Sequence, residues 1–374
     1  MIQTISRCIE YSITVNQMKL NERQRALLAA VIERYVQTAE PVGSAAMAAD
    51  AGFVARVGSV SSATIRNELA ELENLGLLAH PHTSAGRVPT DAGYRLYVNE
   101  MLRPRAIKPQ ERAQIHSQIS SPASSVEDVL RDACVALAKL TGYPAVATLP
   151  QAGRDTVRQV QLNSLPPRRL VLALVTQTGR IEHRVFEVGA DLPDERLATV
   201  VNFLNQKLSG RALSALRVLN FREISEGLHG AETLSLASRA FDFVKQSAEE
   251  LGDERIVVQG LITLLDEPEF SDIRDARQAM RLFENAGAMN DLLQTPLEMY
   301  RPENAYAVVI GHELNAIDNP VAQRFSVVGV AYGLGDDVLG TVAVMGPTRM
   351  KYADAVSLAP VLAQRLKDSL ESLE

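Results

Sequence analysis

The hydrophobic and polar positions between residues 59 and 101 change period twice, and each change predicts a different element. One helical side carries the apolar or small residues of the first segment: Ile65, Leu69, Leu72 and Gly76. This spacing predicts a helix over 61–75 that its glycine ends. The apolar stretch 77–79 and the stretch 86–88 flank turn residues and predict two strands, after which a helical period returns. A helix followed by such a hairpin predicts a winged helix-turn-helix domain.

Two further helices are predicted before this segment. Asn21, with Gln24 three residues later, predicts the capped start of the first helix. An alanine-rich helix is predicted from Ser44 to Asp50, with a turn over 53–58, and its small side chains would let it pack across the next helix. Residues 1–17 lack such patterning and the features of a signal peptide, so we expect either a disordered extension or a misassigned start there.

The outer side of helix 61–75 has the chemistry of a base-reading surface. It carries small, amide and basic residues: Ala63, Arg66, Asn67, Ala70 and Asn74. Small residues let a backbone approach a groove, Asn can pair with adenine, and Arg can pair with guanine or phosphate. We therefore assign Arg66 and Asn67 as candidate base readers, with Asn74 on the same side. An ordinary amphipathic surface helix is the alternative interpretation.

Phosphate contacts are expected at two places around this helix. Ser61, Ser62 and Thr64 stand at its start, where hydroxyls and free backbone amides can bind a phosphate. Arg87 stands in the predicted wing, where it could contact the DNA backbone or the minor groove.

The rest of the chain predicts a mixed sheet and helix body behind a short linker. Residues 104–109 have proline at each end and predict a semi-rigid connection. Arg103 and Arg105 beside it could touch phosphate, although a solvated linker is the more ordinary case. Helical and strand periods then predict the following segments: helices 110–140, 193–208 and 354–373, and strands near 160–162, 170–176, 181–188, 255–258, 305–312, 326–333 and 339–345.

Composition narrows the class of protein. The chain of 374 residues has a net charge of −7, yet residues 18–105 carry ten basic and nine acidic side chains. A nearly neutral reader of this kind should bind DNA by specific geometry and by pairing of two copies rather than by bulk attraction. Two cysteines, Cys8 and Cys134, and no long apolar run indicate a reducing, cytoplasmic location without a membrane span.

No catalytic, cofactor or metal site is predicted. The chain has no phosphate-binding loop and no nucleophile motif, and its late glycines do not fit a dinucleotide fingerprint. The His312-Glu313 pair lacks a second histidine at position 316, and His80 and His82 lack further ligands at metal spacing. Arg349 after Thr348 could bind a phosphate, but we favour a role in bracing a strand end against a domain interface.

Two dense blocks of residues, far apart in the chain, resemble the HrcA family of heat-inducible transcription repressors. The first block runs through Pro41-Val42-Gly43-Ser44, Ser61-Ser62-Ala63-Thr64-Ile65-Arg66-Asn67-Glu68, Pro81-His82-Thr83-Ser84-Ala85-Gly86-Arg87 and Gly93-Tyr94-Arg95. The second comprises Gly346-Pro347-Thr348-Arg349-Met350 and Tyr352. The first 17 residues and His312-Glu313-Leu314 depart from the family pattern.

The resemblance implies an α+β multidomain chain: a winged-helix DNA-binding domain over 18–103, a linker over 104–109, a GAF-like body in two parts, and an inserted, mainly helical dimerising domain. The implied body parts are 110–221 and 299–374, and the implied insert is 222–298. It also implies a dimeric repressor of chaperone operons that binds an inverted-repeat CIRCE operator, is released on heat stress, and is kept active by the chaperonin. Two alternatives stay open, namely a winged-helix regulator switched by a small molecule in the body, and an enzyme with an appended DNA module.

Overall fold

The computed structural model of the chain describes residues 19–81, 86–119, 125–149, 155–190, 192–251, 255–299, 306–314, 320–334 and 337–372. The expected extension at 1–17 and the tip of the expected wing at 82–85 lie outside these ranges. No helix within the ranges is both long and apolar enough to cross a membrane.

Residues 19–102 form an N-terminal unit of helices and one short hairpin. Its elements are α1 (Glu22–Thr38), α2 (Ser44–Ala48), α3 (Ala51–Val57), α4 (Ser62–Asn74), β1 (Leu78–Ala79), β2 (Val88–Pro89) and α5 (Asp91–Leu96), which continues as a π-helical turn (Tyr97–Met101). The strands are antiparallel, with Leu78 opposite Pro89. The predicted capping box at Asn21 and Gln24 is present.

One predicted element in this unit is wrong, and one residue predicted on the buried side is exposed. The stretch 53–58, expected as a turn, is helical for most of its length because the Asp50 carboxylate accepts a 2.8 Å hydrogen bond from the amide of Phe53 and starts α3 there. Phe53 is 1% exposed and anchors this helix in the core. Gly76, expected on the buried side, is exposed and has a φ of +73° just beyond the end of α4.

The body is built on a five-stranded antiparallel sheet. Its strands are β3 (Ala145–Thr148), β7 (Ile256–Gln259), β8 (Ala307–Ile310), β9 (Phe325–Leu334) and β10 (Asp337–Pro347). Their order in the sheet is β7-β3-β10-β9-β8. Helices on its first face are α6 (Pro109–Gln118), α7 (Val126–Thr141) and α14 (Tyr352–Glu371), and those on its second face are α12 (Ile273–Glu284) and α13 (Ala286–Met299). Alternate residues divide between the faces, as Val328 packs with the first set and Val327 with the second.

The core of the first face continues into the N-terminal unit. A single cluster of buried apolar side chains includes Leu28 of α1, Ile65 of α4, Leu137 of α7 and Leu362 of α14. The unit and the body therefore share a core rather than being joined by a flexible tether.

A separate unit lies between β3 and β7. Its sheet consists of β4 (Val157–Leu165), β5 (Arg169–Thr176) and β6 (Ile181–Glu187), which among the described residues pair only with each other. One face of this sheet packs on α8 (Asp194–Leu208) and α11 (Ala231–Leu251) around its own core. The short helices α9 (Leu213–Val218) and α10 (Phe221–Ile224) connect α8 to α11.

This core moves the expected domain boundaries. The interrupting unit spans 155–251 rather than 222–298, because β3 and β7 pair directly on either side of it, with Ala145 opposite Gln259. The strands over 157–187 were expected in the body sheet but lie in the interrupting unit. The helices over 273–299 were expected in the insert but pack on the body sheet. Alternation of side chains predicts a strand but does not identify the sheet to which it belongs.

Candidate nucleic-acid interface

Helix α4 presents a buried and an exposed side, as its sequence predicts. Ile65 and Leu72 are fully buried and Leu69 is 4% exposed. Arg66 and Asn67 are exposed on the opposite side, and Arg66 makes no ion pair with any described residue. The two candidate base readers therefore lie together on an open surface.

The candidate phosphate contacts lie at the first turn of α4. Ser61 caps the helix, since its hydroxyl accepts a 3.1 Å hydrogen bond from the amide of Thr64 and lies 2.9 Å from the hydroxyl of that residue. The hydroxyl of Ser62 is 3.0 Å from that of Ser44 at the start of α2. Ser61 is exposed, and Ser62 and Thr64 are half-buried.

Asn74 is exposed on the same side but is the last residue of α4. At 1.5 Å per residue it lies about 18 Å from the first turn. The structure therefore groups Ser61, Thr64, Arg66 and Asn67 at one end of the helix and places Asn74 at the other.

The first helix holds α4 in place through polar contacts that our sequence reasoning did not assign. The guanidinium of Arg23 pairs with the carboxylate of Glu68, which is 5% exposed. The side-chain amide of Gln24 donates a 2.8 Å hydrogen bond to Glu71. The only sequence signal for these contacts is a pair of acidic residues on α4 three positions apart. The contacts of Arg23 and Gln24 fix the rotation of α4 about its own axis. They therefore also fix the direction in which Arg66 and Asn67 point.

Arg87 lies against α4 rather than free in solvent. Its guanidinium forms a 2.8 Å ion pair with Glu73, and 18% of its side chain is exposed. Its backbone pairs with Val42 in both directions, at 2.8 and 2.9 Å. A Cβ at the preceding Gly86 would lie 2.4 Å from the backbone of Val42, so the start of the second strand needs a glycine there. The hairpin is thus held at its base, and a DNA contact by Arg87 stays a prediction.

The linker is fixed to the body, contrary to both interpretations of Arg105. The backbone amide of Arg105 donates a 2.8 Å hydrogen bond to the hydroxyl of Ser357. Its guanidinium forms a 2.7 Å ion pair with Glu111 and also pairs with Asp354. Arg105 therefore neither lies in a solvated linker nor is available to phosphate, whereas Arg103 is exposed.

Arg349 braces the interface between the N-terminal unit and the body, as the favoured interpretation predicts. Its guanidinium pairs with Glu267 at 2.5 Å and with Glu269 at 2.6 Å, and donates to the backbone carbonyl of Val36 at 3.2 Å. Val36 belongs to the last turn of α1. The side chain of Arg349 is 8% exposed and fully engaged with protein groups, so it is not placed to bind a phosphate.

A second contact between the two parts involves Asp91 and Arg95 of α5. Arg95 forms a buried ion pair with Glu313, and the carboxylate of Asp91 accepts a 2.9 Å hydrogen bond from the amide of His312. Both partners lie in the 3₁₀ turn Gly311–Leu314 that follows β8. This turn is the segment in which the sequence departs from the family pattern, which was the one available signal.

The described residues contain no cluster of three or more histidine, cysteine or acidic side chains that could hold a metal ion. His80 is exposed, and His82 lies outside the described ranges.

Comparison with known proteins shows the family of this chain. The family described as "HrcA protein C terminal domain" matches residues 127–356. A protein of Moorella thermoacetica named "Heat-inducible transcription repressor HrcA" is 34% identical over 357 residues, which is 95% of this chain and 99% of that protein. A Synechococcus elongatus protein with the same name is 36% identical over 372 residues, with 95% and 99% covered.

A solved structure described only as that of a hypothetical protein is also similar. It has a TM-score of 0.63 and 25% identity, and the match covers 95% of this chain and 100% of that one. The exposed polar side of α4, the full-length similarity to transcription repressors and the match of the family over most of the body lead to one conclusion. The chain belongs to the HrcA family of heat-inducible transcription repressors, which are DNA-binding proteins rather than enzymes.

Proposed function

We propose that residues 19–102 are a winged-helix DNA reader, and that two copies of the chain bind an inverted repeat of the CIRCE type with α4 of each copy in the major groove. The observation that carries this proposal is the open surface of α4. Arg66 and Asn67 are exposed side by side on a helix whose opposite side is buried and whose roll is held by Arg23 and Gln24. A recognition helix must be held in a fixed orientation so that its side chains reach the base edges.

The first turn of α4 supports the same function. The N-terminal residues of a recognition helix are the ones that reach base edges, and Arg66 and Asn67 lie in the first two turns. Arginine can pair with guanine and asparagine with adenine, each pair contributing about 1–3 kcal/mol of discrimination. The hydroxyls of Ser61 and Thr64 lie beside them, where a phosphate would approach the start of the helix.

Dimerisation is proposed through the unit over 155–251. The face of its sheet that is not packed on α8 and α11 carries Ile181 at 61% exposure and Val185 at 50% exposure. Their cross-strand neighbours Val175 and Val171 extend this apolar surface onto β5. Covering such a face with a second copy removes apolar area from water and would place two readers on one DNA site.

Release on heating is proposed to follow from loss of packing in the body. The names of the relatives describe heat-inducible repressors, and the core of the first sheet face is shared with the N-terminal unit. Loss of packing in the body would therefore also remove the contacts that hold the N-terminal unit, and α4 with it, in its position for binding DNA. The family resemblance supports regulation of chaperone operons and a role for the chaperonin in keeping the repressor active. We further propose that the five-stranded body is GAF-like, which its antiparallel sheet with helices on both faces supports.

The test is selection of bound sequences from random duplex DNA with the full chain. We expect two half-sites related by a two-fold axis at one fixed spacing. Enrichment of a single unpaired site, or of no sequence, would contradict the proposal.

The role of Arg66 is tested on the selected duplex. Arg66→Ala should weaken binding roughly 5–150-fold and relax the preference at one base position of each half-site. Arg131→Ala, which removes an exposed cation that pairs with Glu127 on α7, is the matched control and should bind as the unchanged chain does. Equal specificity of the Arg66 variant and the control would remove Arg66 from the reading surface.

The role of Arg87 is separable by the salt dependence of binding. If its guanidinium leaves Glu73 for a phosphate, Arg87→Ala should weaken all sequences alike and reduce the slope of log affinity against log salt by about 1. An unchanged slope would mean that the ion pair with Glu73 persists on DNA.

A further inference from the structure

Arg95 and Glu313 form the most buried ion pair between the N-terminal unit and the body. Both side chains are 4% exposed. The Nε of Arg95 donates a 2.8 Å hydrogen bond to Glu313, and its Nη2 both pairs with that carboxylate and donates to the carbonyl of Val308 at 2.8 Å. Glu313 also accepts a 2.9 Å hydrogen bond from the amide of Ile310. The pair is thus tied on the body side to β8 of the five-stranded sheet.

A second contact lies one turn away on the same helix. A carboxylate oxygen of Asp91 is 2.9 Å from the backbone nitrogen of His312 and 2.5 Å from its Nδ1. Gly311 has a φ of +50°, and a Cβ there would lie 2.2 Å from that carboxylate. The turn 311–314 and the start of α5 therefore interlock closely, and α5 cannot rotate on the body while both contacts hold.

The same helix is fastened to the end of α4. The hydroxyl of Thr90 donates a 2.6 Å hydrogen bond to the carbonyl of Gly76, and its amide donates to the carbonyl of Leu77 at 3.1 Å. A Cβ at Gly93 would lie 2.2 Å from that same carbonyl oxygen, so α5 and the end of α4 are in backbone contact. A short rigid path thus joins the reading helix to the body sheet through α5.

We infer that Arg95 and Glu313 are positioning residues for DNA binding: they set the angle at which α4 is held on the body, and so select the spacing between two half-sites. This inference rests on the proposed function, since it needs two readers on one duplex. The pair itself touches no DNA, because it is buried under α5. Guanidinium and carboxylate meet in two parallel bonds, and this geometry fixes direction as well as distance.

The spacing of half-sites is a sensitive measure of this angle. Two added base pairs turn one half-site by about 70° and move it by about 7 Å relative to the other. A reader held rigidly should lose affinity by at least about tenfold at such a spacing, because the DNA must be twisted back. A reader freed to rotate should lose much less.

The variant Arg95→Met/Glu313→Leu replaces the pair by apolar side chains, an exchange that buried ion pairs often tolerate without loss of stability. Its binding and that of the unchanged chain are compared on the selected half-sites at spacings of about −2 to +2 base pairs, at one salt concentration. We expect the tenfold or greater preference of the unchanged chain to fall to about threefold or less in the variant. Arg131→Ala should keep the full preference. A double variant that also keeps it overturns the inference.

A measurement without DNA separates this inference from the proposed function. Spin labels are attached to cysteines introduced at two exposed positions, Glu40→Cys in the N-terminal unit and Lys367→Cys in the body. The background carries Cys8→Ser, and Cys134 is buried and therefore protected from labelling. Labelled chains are diluted with unlabelled ones so that distances within one chain are measured. We expect one narrow distance distribution in the otherwise unchanged protein and a broader or shifted one with the double variant.

The outcomes divide clearly. If the chain binds no inverted repeat but the distribution broadens, the proposed function fails and the positioning role stands for the free protein. If the distribution is unchanged by the double variant, the positioning role fails whatever the DNA result. Should the double variant not unfold cooperatively, Glu313→Gln decides the matter, because glutamine keeps the volume of the side chain but has one acceptor oxygen, so the two parallel bonds from Arg95 cannot form. A widened distribution in that variant supports the inference, and an unchanged one overturns it.

Discussion

Removal of the Arg349 guanidinium should lower the thermal stability of the protein more than removal of any exposed arginine. In Arg349→Met, the carboxylates of Glu267 and Glu269 lose their partner, and the carbonyl of Val36 loses a donor. Methionine keeps much of the side-chain volume, so the change is mainly one of charge and hydrogen bonding. The contact at stake joins the last turn of α1 to the body.

The size of the effect follows from burial. Breaking a buried ion pair by removing one partner costs about 3–5 kcal/mol when the remaining charge is isolated from water. Here Glu267 and Glu269 are 16% and 27% exposed, so water can reach both carboxylates after the change. We therefore expect the free energy of unfolding to fall by about 2–3 kcal/mol, at or below the lower end of that range. At about 2.1 cal/mol/K of unfolding entropy per residue, this corresponds for a chain of 374 residues to a decrease in Tm of roughly 2.5–4 °C.

The assay is thermal unfolding followed by circular dichroism, with Arg131→Met as the matched control, since its side chain is 52% exposed. The control should shift the Tm by less than about 2 °C. A triple variant that also carries Glu267→Gln and Glu269→Gln should recover most of the loss, because no unpaired charge is left behind. The temperature at which operator DNA is released should fall together with the Tm of Arg349→Met.

Two results would refute this reasoning. If Arg349→Met and the control have the same Tm, Arg349 does not brace the interface. If the Tm is unchanged but DNA binding weakens with a smaller salt slope, Arg349 contacts phosphate, as the alternative interpretation holds.

Three further predictions follow from individual contacts. Gly93→Ala should destabilise the N-terminal unit by more than about 2 kcal/mol in chemical denaturation, because a Cβ would lie 2.2 Å from the carbonyl oxygen of Leu77. A destabilisation smaller than about 2 kcal/mol would show that α5 can move away from that carbonyl. The guanidinium of Arg105 lowers the pKa of Glu111 to about 2. The ionised carboxylate therefore stabilises the folded protein at any pH above its unfolded pKa, and this stabilisation is lost as the pH falls from about 4.5 toward 2. In Arg105→Gln, an NMR titration should return that pKa toward 4.5, and an unchanged value would contradict the ion pair. Burial raises the pKa of the Cys134 thiol. In a Cys8→Ser background, iodoacetamide should therefore modify Cys134 at pH 8 only in denaturant, and modification of the native protein would show that α7 opens.

Local elements were predictable where one short stretch holds all the necessary information. The capped start of α1 at Asn21 and the start of α4 at Ser61 both depend on residues within four positions of each other. The exposed side of α4 was predictable for the same reason, since helical spacing places Arg66 and Asn67 opposite Ile65. The turn expected at 53–58 is the exception, because Asp50 was taken to end one helix and in fact begins the next.

The amino-acid sequence by itself determined the periods, caps and turns of this protein, and the chemistry displayed on α4, because these depend on neighbours in the chain. The tertiary structure alone decided which strands share a sheet, and it moved the interrupting unit from 222–298 to 155–251. It also decided the partners of Arg87, Arg95, Arg105 and Arg349, each of which pairs with a carboxylate. Arginine and glutamate more than 200 positions apart, as Arg95 and Glu313 are, carry no local pattern that marks them as a pair. Their contact exists because the packing of α5 on the body excludes water, so that each buried charge is compensated by the other.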